Sequence, residues 1–401
     1  MKKLFRLYQW VLWNLFSRLL FVELYLRKKF PFTSTPVSQT FPRPPFLVVA
    51  NHGTFFDPWI LGSYSIAPLG YMTNDDGFRE GFITRWYLRS IGAFPKRKGA
   101  SDYRAIKTTL ALLKSGKSVC IFPEGQTTWD GETQLLYTGI EKLIKRSGCP
   151  LVTVRFQGNF LMKPWWAKTV RTGRIRVTTT VHSPETIRQL SNEALFDLIR
   201  QSIYQNDIKD PENLALPFAG TNLAEGLERF VWICLGCGAE DTLSTKGNGI
   251  TCKECGHTVA IDAYCRLTPA QGINTSCSDL KDWAELHKTR VKEKIARCPE
   301  LLTSSGNVTL QRENARHRFV DEDKGTLSLT PSTIRFAGAS MKSDWPVDAV
   351  EDCVIQKKDI FEFRHGTSYQ RFLFQGKSPM KWVYYLRYLK GYEACERQGH
   401  L

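Results

Sequence analysis

Four short apolar runs, at 46–50, 119–122, 151–156 and 174–180, limit the fold of this chain more than any other feature of its 401 residues. Each has the length of a buried strand, and the stretches between them, among them Tyr103 to Lys114 and Gly139 to Ser147, have helical character. Such alternation predicts an α/β layer structure. Ser191 to Ile203 predicts a further helix with Ser191 as its N-cap. Two of the runs lead into turns that carry titratable side chains. Phe46 to Ala50 is followed by Asn51-His52-Gly53-Thr54-Phe55-Phe56-Asp57, and Val119 to Phe122 by Pro123-Glu124-Gly125. A His and an Asp five positions apart can form a general base with its own orienting carboxylate. The imidazole titrates near neutral pH, and an acid on its other nitrogen fixes the tautomer and stabilises the imidazolium. Taken singly, a His near an Asp is more often a packing or surface pair, and Glu124 could simply cap the segment after it.

Together and in order, these blocks resemble the glycerolphospholipid acyltransferase family, which includes lysophosphatidic acid acyltransferase. Its first block is Asn-His-(four residues)-Asp, here Asn51, His52 and Asp57, and its third is Phe-Pro-Glu-Gly, here Phe122 to Gly125. Its second, a Gly followed by apolar residues and a base, is similar to Gly92-Ala93-Phe94-Pro95-Lys96-Arg97-Lys98-Gly99. The fourth, an apolar strand opened by Pro, is similar to Cys149-Pro150-Leu151-Val152-Thr153-Val154, with Thr153 where many members have a second Pro. The likeness covers roughly residues 45–205 and implies an O-acyltransferase of the 1-acylglycerol-3-phosphate type. By that resemblance His52 takes the proton of an acceptor hydroxyl with Asp57 behind it, Glu124 and Gly125 help position substrate, and Arg97 or Lys98 holds an acceptor phosphate. The donor would be acyl-CoA or acyl-ACP (acyl carrier protein), and the acceptor a lysophospholipid. The activated oxygen would attack the thioester directly, leaving Cys120 and Cys149 as bystanders. Backbone amides at Gly53 or Gly125 are the candidate donors to the tetrahedral intermediate. Thr127 stands where the third block often has Arg, a departure that bears on the acceptor head group.

A net charge of +16 asks for an anionic partner, whether nucleic acid, an anionic membrane surface or a phosphorylated substrate. Residues 1–30 hold seven Lys and Arg against Glu23 alone and are the most apolar stretch of the chain. A membrane-spanning helix wants about 20 nearly uncharged residues, and Arg6, Asn14, Arg18 and Glu23 interrupt this one. At α-helical spacing Leu4, Val11, Leu12, Leu15, Leu19, Val22 and Leu26 share one half of the wheel. This predicts an interfacial helix, in preference to a spanning or a packed soluble one, and a peripheral or monotopic location at the cytoplasmic face of a membrane. The Pro-rich stretch from Pro31 to Pro45 predicts a connector. The aromatic cluster Phe55, Phe56, Trp59 and Trp86 suits core and acyl-chain contact equally.

Eleven cysteines are an odd number, so they cannot all pair internally. Cys234-x-x-Cys237-Gly and Cys252-x-x-Cys255-Gly, fourteen residues apart, match the two knuckles of a structural Zn2+ ribbon, against the alternatives of two disulfides or four free thiols. Four protein ligands leave no open position for catalysis, and reduced thiolates fit a cytosolic environment. Beyond the ribbon, Ser278 to Ile295 predicts a helix with His287 in its packed face. Short runs at 326–330, 333–336, 353–356, 360–363 and 370–374, then a helix from Pro379, predict a β-rich module. Its layout looks like pleckstrin-homology or GRAM-type modules, the alternative being an unrelated β domain. The expected organisation is therefore an interfacial helix at 1–30, an α/β acyltransferase domain at 45–208, a zinc ribbon at 231–265, a helical connector at 278–297 and the β module at 305–393. Two other functions compete with acyl transfer. One is a catalytically idle lipid-binding adaptor. The other is a nucleic-acid-binding zinc protein, which the absence of a basic-aromatic platform in the knuckles disfavours.

Overall fold

The computed structural model describes all residues except 1, 31, 75, 80, 97–102, 270–276, 298–299, 315–318 and 392–401, and side chains other than those of 2, 3, 5, 6, 76 and 79. It divides into two compact units, one built from Met1–Trp165 and Val170–Gly220, the other from Trp166–Thr169 and Thr221–Arg397.

The first unit carries β1 (Phe32–Ser34), β2 (Leu47–Ala50), β3 (Leu69–Asn74), β4 (Phe94–Lys96), β5 (Ser118–Ile121), β6 (Leu151–Gln157), β7 (Thr172–His182) and β8 (Phe218–Ala219). They form one sheet in the order β1-β7-β6-β2-β5-β3-β4, with β8 on β7. Strand β2 is parallel to both neighbours, Val48 facing Cys120 on β5 and Val152 on β6. The central strands are apolar throughout because both their faces are covered. On one face Leu47, Val49, Val119 and Ile121 pack with Leu113, Ile140, Ile144 and Ile199 from the helices Tyr103–Lys114, Ile140–Ser147 and Asn192–Ile203. The Ser191 hydroxyl accepts the Ala194 amide at 3.0 Å, as its position predicts. Strands β3 and β4 escape the sequence reading, since Gly70 and Thr73 interrupt the apolar pattern of β3 and β4 has three residues. Gly70 is small because its neighbour is close: a Cβ there would lie 3.0 Å from the Gly92 carbonyl oxygen.

The N-terminal segment corrects one expectation. Lys2–Val11 is α-helical, but Leu12–Leu26 opens into a π-helix, and the Arg27 amide donates to the Val22 carbonyl five residues back. The wider turn aligns residues four and five apart, so Trp13, Ser17, Val22 and Leu26 face inward while Leu15 and Leu19 are exposed. Trp13 donates its indole N–H to the Ser65 carbonyl at 2.8 Å, and Phe21 packs on Trp59. Among the described residues, no helix is long and apolar enough to cross a membrane. The connector also differs from expectation, since β1 lies inside it and pairs in parallel with β7.

The second unit contains two antiparallel sheets. Strands β9 (Leu243–Lys246), β10 (Gly249–Cys252), β11 (Thr258–Ile261) and β12 (Leu267–Pro269) run in the order β12-β11-β10-β9. The larger sheet comprises β13 (Thr303–Glu313), β14 (Phe319–Leu329), β15 (Thr333–Gly338), β16 (Lys342–Pro346), β17 (Val350–Gln356), β18 (Ile360–His365) and β19 (Ser368–Leu373), ordered β16-β15-β14-β13-β19-β18-β17. The final helix, Met380–Leu389, lays Trp382 against Phe361 and Phe374, closing a mainly β region as the sequence predicts. Strands β13 and β16 are too polar to announce themselves and are fixed by pairing with neighbours. The helix expected from Ser278 begins at Leu280 and runs to Ala296, because the Asp279 carboxylate caps it by accepting the Lys281 and Asp282 amides. His287 is a wall residue there, stacked on Trp232 at 4.0 Å, and burial pushes its imidazole down to about 3. The turn after Cys237 is tied to the helix Leu280–Ala296 and to the β region through half-buried carboxylates and the buried Lys381. Asp241 accepts from Lys381, while Glu240 accepts from Lys294, Thr303 and Tyr385 at 2.8–2.9 Å. These partners satisfy carboxylates whose isolated burial would cost several kcal/mol on the order-of-magnitude scale for ions.

Candidate active site

Because β2 lies between two strands parallel to it, the chain leaves β2, β5 and β6 at the same edge of the sheet. Residues after Ala50, Ile121 and Gln157 therefore meet there, at the carboxyl ends where open α/β sheets place their sites. His52 Nδ1 lies 2.9 Å from Asp57 Oδ2. Asp57 begins the helix Asp57–Ser63 and is fully buried. Its Oδ2 also accepts the Thr54 amide at 3.0 Å, and its Oδ1 accepts the Asn159 side-chain amide at 2.9 Å. An ionised carboxylate is acceptor-only, which puts the imidazole proton on Nδ1 and leaves the lone pair on Nε2. The ring stacks on Phe122 with centroids 4.3 Å apart and keeps its side chain 18% exposed.

Glu124 reaches the same place from β5. Its carboxylate is buried, Oε1 accepting the His52 amide and Oε2 the Gln134 amide, both at 2.6 Å. The Thr128 amide donates to the His52 carbonyl at 2.9 Å. Glu124 thus clamps the backbone of the histidine turn. Gly53 fits that turn because a Cβ would lie 2.5 Å from Asn159 Oδ1. The two candidate oxyanion donors separate, since the Gly125 amide already donates to the Phe122 carbonyl at 3.0 Å. Arg97 and Lys98 lie outside the described residues, while Lys96 is buried with its ammonium 4.5 Å from the Tyr137 ring centroid.

Sequence reasoning named Asn51 in the first block without giving it a task, and missed Asn159 and Asp207. Asn51 exchanges hydrogen bonds of 2.9 and 2.7 Å with the carbonyl and amide of Phe156, pinning the first turn to β6. Asn159 is the partner of Asp57, and its signal was available: it is the polar residue just past an apolar strand, as His52 and Glu124 are. Asp207 had no local signal. Its buried carboxylate accepts the Gly158 and Phe160 amides at 2.8 and 3.0 Å, holding the turn that carries Asn159. Burial pushes Asp207 up to about 7, against the pull of those two amides toward the charged form. His52, Glu124, Asn159 and Asp207 border a cavity of ≈ 10 Å³. That is the room of about one water, so it is a polar interior behind the pair and too small for substrate.

In the second unit the thiols of Cys234, Cys237, Cys252 and Cys255 converge, all within 4.8 Å of one another. Cys234 and Cys255 sulfurs are 3.7 Å apart, and those of Cys237 and Cys252 3.8 Å. A tetrahedral ion with arms of about 2.3 Å requires sulfur–sulfur edges of about 3.8 Å, whereas a disulfide needs about 2.05 Å. The donor set therefore fits zinc and not two disulfides. Gly238 and Gly256 adopt φ of +75° and +71°, closing each knuckle by donating to the Cys234 and Cys252 carbonyls.

Residues 35–157 match the model of the acyltransferase family. Over 104 residues the chain is 36% identical to a lyso-ornithine lipid O-acyltransferase of Pseudomonas aeruginosa, covering 26% of this chain and 39% of that protein. Over 116 residues it is 31% identical to a 1-acyl-sn-glycerol-3-phosphate acyltransferase of Bacillus subtilis, covering 28% of this chain and 56% of that protein. The matched stretches thus span well under two thirds of either relative. Among solved structures, the 1-acyl-sn-glycerophosphate (LPA) acyltransferase PlsC of Thermotoga maritima aligns with 51% of this chain and 95% of its own, at 19% identity and a TM-score of 0.39.

Proposed function

We propose that this protein is an O-acyltransferase that moves a fatty acyl group from acyl-CoA or acyl carrier protein to the hydroxyl of a lysophospholipid, 1-acyl-glycerol-3-phosphate or a related acceptor. The observation that carries the reading is the His52–Asp57 pair, locked by Asn159 and Thr54 at the carboxyl edge of the parallel strands. With Nδ1 bound to the carboxylate, Nε2 takes the acceptor's proton as the oxygen attacks the thioester carbonyl, and the tetrahedral adduct then expels the thiolate, to which the imidazolium returns the proton. No protein nucleophile is invoked. Burial raises the thiols of Cys120 and Cys149 above their ordinary range, which opposes the thiolate a nucleophile would need. Glu124 acts here as a positioning residue through the His52 backbone, and the Gly53 amide is the candidate donor to the developing oxyanion. Arg97 and Lys98 remain the proposed contacts for an acceptor phosphate. The direct test is incubation of the purified full chain with a mixed lysolipid panel and, in parallel, acyl-CoA or acyl-ACP as donor. A new diacyl product mass supports the reading, and unchanged lipids with unconsumed thioester reject it.

The relay behind the base yields a graded prediction. Replacing Asn159 with Ala removes a donor to a buried carboxylate, an interaction worth about 1.5–3 kcal/mol, so kcat/KM should fall roughly ten- to hundredfold. Asn159→Asp should be worse, since it sets a second buried acid beside Asp57. Parent-like kcat/KM in folded Asn159→Ala protein would remove Asn159 from the positioning role.

The N-terminal segment is proposed as the interfacial anchor at the cytoplasmic face of a membrane. Phe16, Leu19, Leu20, Leu24 and Tyr25 are exposed, with Lys28 and Lys29 exposed nearby. Deleting residues 1–30 would also strip Trp13, Val22 and Leu26 from the core, so point substitutions are the cleaner test. Phe16→Glu with Leu20→Glu should abolish co-flotation with anionic vesicles while leaving thermal unfolding unchanged. Flotation equal to the parent would rule out this face as the anchor. Zn2+ is proposed as the structural ion of the four-thiol cluster, and the C-terminal β region as a pleckstrin-homology-like module.

A further inference from the structure

A second cavity of the first unit lies at the opposite end of the sheet from His52. It measures ≈ 590 Å³ and is walled by Trp10, Phe41, Pro42, Tyr64, Ile66 and Ile91. None of the residues bordering the small cavity behind His52 lines it. Phe46, at the start of β2, is part of its floor, and the four residues of β2, at about 3.3 Å each, separate that floor from the histidine turn by roughly 13 Å. The volume lies within the range of about 300–1,000 Å³ that small-molecule sites occupy.

Its frame is built by hydrogen bonds rather than left open by loose packing. Buried Gln9 donates to the Ser90 carbonyl at 3.1 Å and accepts from the Lys117 ammonium at 2.9 Å, joining three segments around the cavity. Trp13 and Asn14 donate to the carbonyls of Ser65 and Ile66 at 2.8 and 3.0 Å, fixing the wall that carries Ile66. The charged residues of the lining are Arg43 and Lys117, both cationic, and the described lining holds no acid. An apolar chamber bordered by cations alone selects an apolar chain ending in an anion.

We propose that this cavity is a second lipid site, which binds a single-chain amphiphile with a carboxylate or phosphate head, the head at Arg43 and Lys117 and the chain against Trp10, Phe41 and Tyr64. The site stands apart from the acyl-transfer chemistry and does not depend on it.

Photolabelling of the full chain tests this. The probes are a diazirine-bearing long-chain fatty acid, the matching lysophosphatidate and the neutral monoacylglycerol, with labelled peptides mapped by mass spectrometry. Both anionic probes, or either one, should mark peptides containing residues 40–46 and 64–68, the stronger of the two fixing the head group. Arg43→Glu, an exposed substitution, should cut anionic labelling of these peptides by about tenfold, as loss of one charge-assisted contact does, and leave neutral labelling unchanged. Ala67→Trp should fill the chamber and reduce all three, while His52→Ala should change none. Should Ala67→Trp fail to fold, Arg43→Glu decides alone. Labelling confined to peptides around His52 and Phe55, or equal anionic labelling in parent and Arg43→Glu protein, overturns the proposal.

Discussion

Replacing His52 with Ala should lower acyl transfer by at least about 10³–10⁴-fold, because general acid–base catalysis alone contributes about 10²–10⁴-fold and the same side chain also orients the acceptor. The protein should stay folded. The Glu124 and Thr128 contacts to residue 52 use only its backbone, and Asp57 keeps Thr54 and Asn159 as donors. Asp57→Asn should be comparably severe for a different reason. Asp57 serves as acceptor to three groups at once, and an amide offers one acceptor oxygen. Its NH2, turned toward His52, would force the imidazole into the tautomer with the proton on Nε2, where a base is needed. A wrong tautomer in a comparable His–Asp pair costs about 10⁴-fold. Thioester consumption, followed directly in the purified variants, measures both effects. Near-parental turnover in His52→Ala would end the general-base mechanism, and near-parental turnover in Asp57→Asn alone would end the tautomer argument.

Replacing cysteines of the proposed zinc site should act on folding and leave the chemistry largely intact. One zinc per chain is expected in protein purified without chelator, and Cys237→Ser with Cys255→Ser should abolish it. Structural zinc in small sites contributes about 10–16 kcal/mol of apparent binding free energy that is also folding free energy. Its loss should therefore expose the 231–265 region to protease. Glu240 and Asp241, which follow the first knuckle, are bonded to Thr303, Lys381 and Tyr385, so loosening should extend into the β region as well. Residues 45–208 should retain their fold and at least part of their activity, since β1 to β8 and the His52 site are complete within the other unit. Metal-free parent protein, or a double variant as protease-resistant as the parent, would refute the structural-zinc assignment.

The candidate site was legible where chemistry is local. His52 and Asp57 are five residues apart and joined by a short turn, and the four cysteines repeat one knuckle, so their grouping needs little tertiary information. Glu124 was legible as a member of the site, but its task was not. That both its oxygens hold main-chain amides, of His52 and of Gln134, depends on β2 and β5 running parallel in register. Asn159 and Asp207 lie more than a hundred residues beyond His52 and enter through β6 and the segment after the helix Asn192–Ile203. No periodicity spans that distance.

By itself the sequence determined the elements whose apolar residues face one core, which are β2, β5, β6, β7 and the flanking helices, and it grouped His52 with Asp57 and the four thiols with one another. Burial of a short apolar run or of a helix face is a local demand, and so it is written in local pattern. Only the tertiary structure decided the order of the strands, the polar strands β13 and β16, and the inward face of the N-terminal segment. A polar strand is stabilised by its neighbours' hydrogen bonds, and the π-helical turn changes which residues align, so neither is encoded at α-helical or alternating spacing. The same holds for the support behind His52. Asp57 keeps its geometry through Asn159, and Asn159 through Asp207, because parallel neighbours bring three distant chain segments to one edge of the sheet.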